Sequence, residues 1–266
     1  MQATLAPSGQ AWMNKVPAVT LAFWTIKILS TTVGETGADY LAVHVGLGTV
    51  VTTATMTALL VVSLLIQLSR GRYVPWVYWL TVVLLSVVGT QITDVLTDKL
   101  GVSLYVSTAV FSLALAALLA VWYWRERTLS INTIVTRRRE LFYWAAILLT
   151  FALGTAAGDL ATEALGLGFQ LGAMVFGGLI AVIGIAYRSG ANQVLAFWLA
   201  YILTRPLGAS LGDLLAQSRE YGGFGLGTTA TSAVFLLVIA SLVAIVTLAM
   251  RREGAGVAAR SGPIDR

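Results

Sequence analysis

Four aspartates recur at one position of a repeated pattern: Asp39, Asp94, Asp159 and Asp213. Each is preceded by an aromatic–Trp pair, namely Phe23-Trp24, Tyr78-Trp79, Tyr143-Trp144 and Phe197-Trp198. Ten residues after each Trp comes a glycine (Gly34, Gly89, Gly154, Gly208), and the Asp follows 5 residues later. Glu35 adds a fifth carboxylate one helical turn before Asp39, and (i, i+4) spacing puts both on one helix face. Clustered carboxylates held away from water can share a proton or a cation. Glu35 and Asp39 are therefore the candidate metal ligands, with the other three Asp residues as further cation-binding candidates. Two bases lie in the same apolar stretches. Arg205 is placed near mid-span, where a lone charge is costly and needs an acid; Glu35 and Asp213 are the candidates. Lys27 is one turn from Trp24 and is expected to extend its ammonium to water. The chain has 0 Cys and 1 His. Disulfides, thiolate metal sites, cysteine nucleophiles and any site needing two imidazoles are thereby excluded. His44, near Asp39, reads as a metal ligand, a pH sensor or an ordinary loop residue.

The elements that must position these groups are membrane-spanning helices. Of 266 residues, 58% are apolar and only 11% charged, against about 25% charged in soluble domains. Mean hydropathy is +0.84. A soluble globule and a disordered chain are both excluded. Eight stretches are long enough to cross a hydrocarbon core that needs roughly 20 apolar residues per helix. They lie near Val16–Tyr40, Gly46–Leu68, Val74–Val95, Gly101–Trp124, Leu141–Leu160, Gly168–Tyr187, Ala191–Leu214 and Gly225–Met250. The expected fold is all-α and polytopic, with eight transmembrane helices. A cytoplasmic arm (1–15) precedes a single transmembrane domain (16–250), and a basic tail (251–266) follows. The start lacks the pattern of a cleaved signal peptide.

Charge sets the expected orientation. Lys15, Arg70, Arg72, Arg125, Arg127, Arg137, Arg138, Arg139, Arg188, Arg251, Arg252, Arg260 and Arg266 fall on one side of the eight-span arrangement, against Lys99 and Arg219 on the other. The positive-inside rule then puts both termini in the cytoplasm. Glu35, Asp39, Asp94, Asp98, Asp159, Glu163, Asp213 and Glu220 lie at or near the opposite ends. The net charge of +5 thus reports topology. It does not mark nucleic-acid binding, because the arginines occupy short loops without interleaved aromatic platforms.

The pattern [FY]-W-x(9)-G-x(4)-D divides the chain into four units, about 16–69, 73–124, 138–188 and 191–250. Two spans per unit keep all four in one orientation, so the repeats are parallel. The second helix of each unit opens with Gly-[Leu/Val]-[Gly/Ser], and the last acidic-side loop carries an insertion, Gln217–Gly223. Trp spacings of 55, 65 and 54 residues suggest two halves. The residue before each Asp is small, so each odd span ends in Gly-x-x-x-small-Asp, a pattern that lets helix backbones approach closely.

This array resembles a bacterial integral-membrane family known as a repeat of unknown function, built from four tandem two-span units each with a marked Trp. The likeness is carried by Lys27…Thr32-Val33-Gly34-Glu35-Thr36…Asp39 and Thr204-Arg205-Pro206-Leu207-Gly208-Ala209…Asp213, and runs from about Val16 to Met250. It implies the eight-span architecture and a bacterial inner membrane. It supplies no substrate.

Function must therefore be argued from the residues. Trp24, Trp79, Trp144 and Trp198 read as an interface belt, with ligand stacking as the alternative; Trp122 and Trp124, beside Arg125, read as belt. Gly34, Gly89, Gly154 and Gly208 read as helix-packing positions. Fifteen residues from Trp to Asp span about 22 Å of helix, so each Asp belongs near the far interface. There the Asp residues cap the following turn or the next helix, converge as an acidic mouth, or do both. Pro206 should kink or break its span. Thr49, Thr52, Thr53, Thr55 and Thr57, with Thr228, Thr229, Thr231 and Ser232, either line a hydrated path or bond their own backbones. The leading expectation is a secondary transporter or exporter of a small cation, proton-coupled, with Arg205 as internal counter-charge and no cofactor. Hard oxygen ligands suit manganese or magnesium better than copper or zinc. The alternative is a membrane scaffold whose buried charges are structural. An enzyme is not expected. HExxH, a Walker A loop and a plausible Ser–His frame are absent, and Asp159 lacks the Gly-x-Gly-Asp of intramembrane aspartyl proteases. The bilayer and a small cation are the partners implied; oligomeric state is left open.

Overall fold

The computed structural model describes residues 14–39 and 48–260, without the side chains of residues 38, 39, 49 and 253–260. Eight long helices follow one another: α1 (Leu21–Asp39), α2 (Gly48–Ser69), α3 (Pro75–Asp94), α4 (Leu104–Glu126), α5 (Arg137–Asp159), α6 (Gly168–Arg188), α7 (Gln193–Ala216) and α8 (Thr228–Arg260). No strand occurs among the described residues. Seven of the eight are long and apolar enough to span a bilayer. The exception is α1, where Lys27, Glu35 and a run of threonines dilute the hydrocarbon. It instead lies inside the bundle, as described below.

Helix starts follow local chemistry. Pro75 occupies the first turn of α3, where its missing N–H costs nothing. Ser103, Thr136 and Asn192 cap α4, α5 and α7 by accepting hydrogen bonds from the N–H groups of Val106, Arg139, and Val194 with Leu195. At the turns between α3 and α4 and between α5 and α6, Gly101 and Gly166 adopt φ of 66° and 70°. A side chain is disfavoured in that left-handed region, which accounts for the recurrent glycine. On the way to these turns α3 and α5 each widen into one π-helical turn, Val95–Lys99 and Leu160–Ala164. Pro206 does not break its helix: α7 is assigned without interruption through it. The expected break is absent, and Pro206 instead lies against Gly154 and Gly158 of α5.

The four odd helices form a closed central ring in the order α1, α3, α5, α7 and back to α1. Even helices stand outside it. Each packs chiefly on the odd helix of the next unit: α2 on α3, α4 on α5, α6 on α7, and α8 on α1. Repeats therefore interlock, and the long link before α5 does not separate two halves, because α3 and α4 both pack on α5. Burial follows this plan. Over an 18-residue apolar stretch of each span, 67% is buried in α5 and in α7, against 11% in α6 and in α8. The outer helices expose large apolar side chains such as Leu65, Leu113, Ile185 and Leu237, as helices facing lipid do.

Candidate functional site

The four repeat glycines set the spacing of the ring. A Cβ on Gly34 would come within 3.0 Å of Ser86 atoms, one on Gly89 within 3.0 Å of Phe151, one on Gly154 of Arg205, and one on Gly208 of Thr31. Each contacted residue stands three positions before the glycine of its own unit. One contact is thus repeated around the ring, and the odd helices are parallel and in register. Thr31 fixes the seam between first and last units by donating its hydroxyl to the Thr204 carbonyl at 3.1 Å.

A second layer lies toward the basic end. Phe23 meets Trp79 at 5.6 Å between ring centroids, Tyr78 meets Trp144 at 5.3 Å, Tyr143 meets Trp198 at 6.4 Å, and Phe197 meets Trp24 at 5.7 Å. The aromatic of each unit thus touches the Trp of the next, and the Tyr78 and Tyr143 hydroxyls hydrogen-bond each other. This corrects the interface-belt reading. Trp79, Trp144 and Trp198 are buried, Trp24 is half-buried, and Trp122 is wholly buried against Phe142 and Trp198. Trp124 is exposed. The sequence placed the tryptophans near polar ends but could not show that they turn inward to pack helix on helix.

Between aromatic collar and acidic end sits Arg205, with no exposed surface. Its guanidinium contacts every other helix of the ring. Nε donates to Thr155 Oγ1 of α5 at 3.0 Å, and Nη1 to the Thr31 carbonyl of α1 at 3.2 Å. Nη2 donates to Thr90 Oγ1 of α3 and to Glu35 Oε2 of α1. Glu35, Thr90 and Thr155 all directly follow their unit's glycine. In the fourth unit that place is taken by Ala209, which is small. Glu35, Thr90 and Thr155 form a socket, and the arginine of the fourth helix fills it. Glu35 is the ion-pair partner; its side chain retains 15% exposure while that of Arg205 has 1%.

Lys27 does not extend to water. It is 1% exposed, with Nζ 3.9 Å from the centre of the Phe151 ring and 4.2 Å from that of Tyr201. Cation–π contact offers an ammonium partial compensation for lost water. No hydrogen-bond acceptor meets this Nζ among the described residues. The side chain lies across the ring beneath Arg205, so it cannot follow its own helix to the interface.

Asp94, Asp159 and Asp213 are each half-buried at the equivalent place of their helices. Asp159 lies within electrostatic reach of Glu35, Arg205, Asp94 and Glu163. Asp94 and Asp159 make no side-chain cap bond to the π-helical turns that follow them. The backbone of Asp39 ends α1, but its side chain and His44 lie outside the described residues. Among the described residues no group of three potential metal-ligating side chains is assembled; the Glu35–Asp39 pair falls partly outside that description. Of the threonines and serine singled out on α2 and α8, Thr52, Thr231 and Ser232 are buried. Ser232 donates to Thr36 Oγ1 of α1 at 2.6 Å, whereas Thr55, Thr57 and Thr229 are exposed and line no interior path.

Sequence reasoning missed two sets of residues. Thr90 and Thr155 complete the socket, and the signal was available: they align with Glu35 in the repeat. At the basic end Lys15 and Glu140 form a buried ion pair at 2.7 Å, with Gln67 Nε2 donating to Glu140 Oε1 at 3.0 Å. Nothing in the spacing of Lys15 and Glu140, 125 residues apart, announces it.

No curated protein and no solved structure matches the chain. The Repeat of Unknown Function (DUF347) matches it four times in tandem, at residues 22–73, 77–128, 142–191 and 196–252. With most of its length so matched, the chain belongs to that repeat family.

Proposed function

We propose that this protein is a secondary transporter or exporter of a small cation, entered from the acidic end. Glu35 is the deepest binding carboxylate, with Asp39, Asp94, Asp159 and Asp213 around the mouth. One observation carries the reading. Glu35 keeps part of its surface accessible while ion-paired to a fully buried arginine, below half-buried Asp residues of the sister helices. A cation arriving there competes with Arg205 for the same carboxylate, which couples occupancy to the seam between α1 and α7. Carboxylate and hydroxyl oxygens favour a hard divalent ion such as manganese or magnesium, and protons are the coupling ion. Positive-inside asymmetry supports a bacterial inner membrane with both termini cytoplasmic.

The test is a metal panel. Cells expressing the wild type should differ from cells expressing Glu35→Gln in cell-associated content of at least one divalent metal. Equal content and equal tolerance across the panel overturn the reading.

A second reading has its own support. Arg205 bonds to all three other ring helices and has no exposure, and aromatic side chains fill the ring toward the basic end. That is also the design of a scaffold whose charges lock a bundle. It predicts no ion flux through wild-type proteoliposomes and a large loss of thermal stability in Arg205→Gln.

A further inference from the structure

Two crevices flank α1 at the basic end, related by one step of the repeat. The first lies where the Phe197–Trp24 contact meets α6, has a volume of about 400 Å³, and has no charged residue in its lining. The second lies where the Phe23–Trp79 contact meets α8. It measures about 800 Å³ and has Arg72 and Arg251 in its lining, together with Trp76, Val246 and Met250. Its volume falls in the range of sites that hold small molecules, roughly 300–1,000 Å³.

The two arginines distinguish this crevice. At the same end Arg138 and Arg139 pair with Glu126, and Lys15 pairs with Glu140; other arginines there, Arg127 and Arg188 among them, form no ion pair among the described residues, but they line neither crevice. Among the described residues no carboxylate forms an ion pair with Arg72 or Arg251. Both are exposed. Trp76, 52% exposed, stands at the same level, as amphipathic rings do at the headgroup boundary. The interior wall is apolar, formed by Phe23, Ile26 and Val246. A largely apolar groove with two arginines in its lining matches a molecule with an acyl chain and a phosphate head.

We propose that the crevice between α1, α3 and α8 is a binding site for an anionic glycerophospholipid, with acyl chain in the groove and phosphate against Arg72 and Arg251. Basic pockets between spanning helices recognise anionic headgroups on these terms. The occupant wedges α8 against α1 and α3. The inference needs only that the chain spans a bilayer, and stands whether or not it transports.

The experiment uses the full chain in vesicles holding equal phosphatidylglycerol and phosphatidylcholine with identical acyl chains. The protein is extracted in mild detergent, and retained lipid is counted by native mass spectrometry. The wild type should retain phosphatidylglycerol over phosphatidylcholine by roughly tenfold or more. Arg72→Gln/Arg251→Gln should abolish that preference. Arg127→Gln/Arg188→Gln removes the same charge outside the crevice and should preserve it. Thr247→Trp fills the groove with both arginines intact and should displace the lipid. No preference in the wild type, equal loss in both double variants, or unchanged retention in Thr247→Trp would each overturn the proposal.

Discussion

Arg205 is buried against Glu35 although the two lie 170 residues apart in the chain. The pair joins the first repeat to the last, where the ring closes. Thr90 and Thr155, equivalent to Glu35 in the middle units, accept from Nη2 and Nε of the same guanidinium. A fourfold repeat has thus been made asymmetric at one layer: three helices contribute acceptors and the fourth contributes the donor.

Removing one member of this pair should cost more than replacing both. Loss of a single buried partner destabilises by about 3–5 kcal/mol. Glu35→Leu and Arg205→Leu should each sharply lower the midpoint of thermal unfolding in detergent. The double variant should recover part of the loss, because no charge is stranded. Additive losses would show that the two side chains do not act as a pair.

The repeat glycines are separable from other helical glycines by experiment. Alanine at Gly34, Gly89, Gly154 or Gly208 forces a methyl onto the neighbouring helix. Overpacking of this kind costs about 1–3 kcal/mol. Gly178 in α6 has nothing within 4 Å of its would-be Cβ, and Gly178→Ala should be neutral or slightly stabilising. Thermal unfolding of the five variants checks the contrast.

Lys27 offers a test of opposite sign. Its ammonium is buried without an acceptor among the described residues and gains only the faces of Phe151 and Tyr201. Lys27→Met keeps the length and sheds the charge. It should leave thermal stability unchanged or raise it, since burying an unpaired charge is among the costliest arrangements in a core. Lys27→Ala should be less stable than Lys27→Met, because it leaves a void. If Lys27→Met lowers stability by more than Lys27→Ala does, the ammonium is satisfied by something other than these rings.

The fold was legible for one reason and the site for another. Apolar length and the charge asymmetry of loops mark spanning helices directly, and the glycine register carried the parallel repeats. Arg205 needed an acid, and Glu35 was one of the two candidates, with Asp213, that its depth allowed. What stayed hidden depended on azimuth. Periodicity cannot say which side of a helix faces a neighbour when all sides are apolar, as in α3 and α5. Hence Trp79, Trp144 and Trp198 read as interface residues and Lys27 as a side chain bound for water, when all four point inward. The packing of each even helix on the following unit was hidden too, because a hairpin motif implies contact within itself.

The basic-end trio makes a final prediction. Glu140 at the start of α5 holds Lys15 and Gln67, and so ties the segment before α1 to α2 and α5. Glu140→Leu leaves the Lys15 ammonium stranded and should cost about 3–5 kcal/mol. Lys15→Met/Glu140→Leu should restore part of it. The measurement is thermal unfolding, with limited proteolysis near Lys15 reporting release of the segment.

Because α8 packs against α1 just as each outer helix packs against its successor, the ring closes on itself, and its helix contacts do not require any one unit to come first. A gene rearranged to start at the second or third unit, with the old termini joined by a flexible tether, should still assemble the same object. Two half-length chains expressed together should find each other in the bilayer for the same reason.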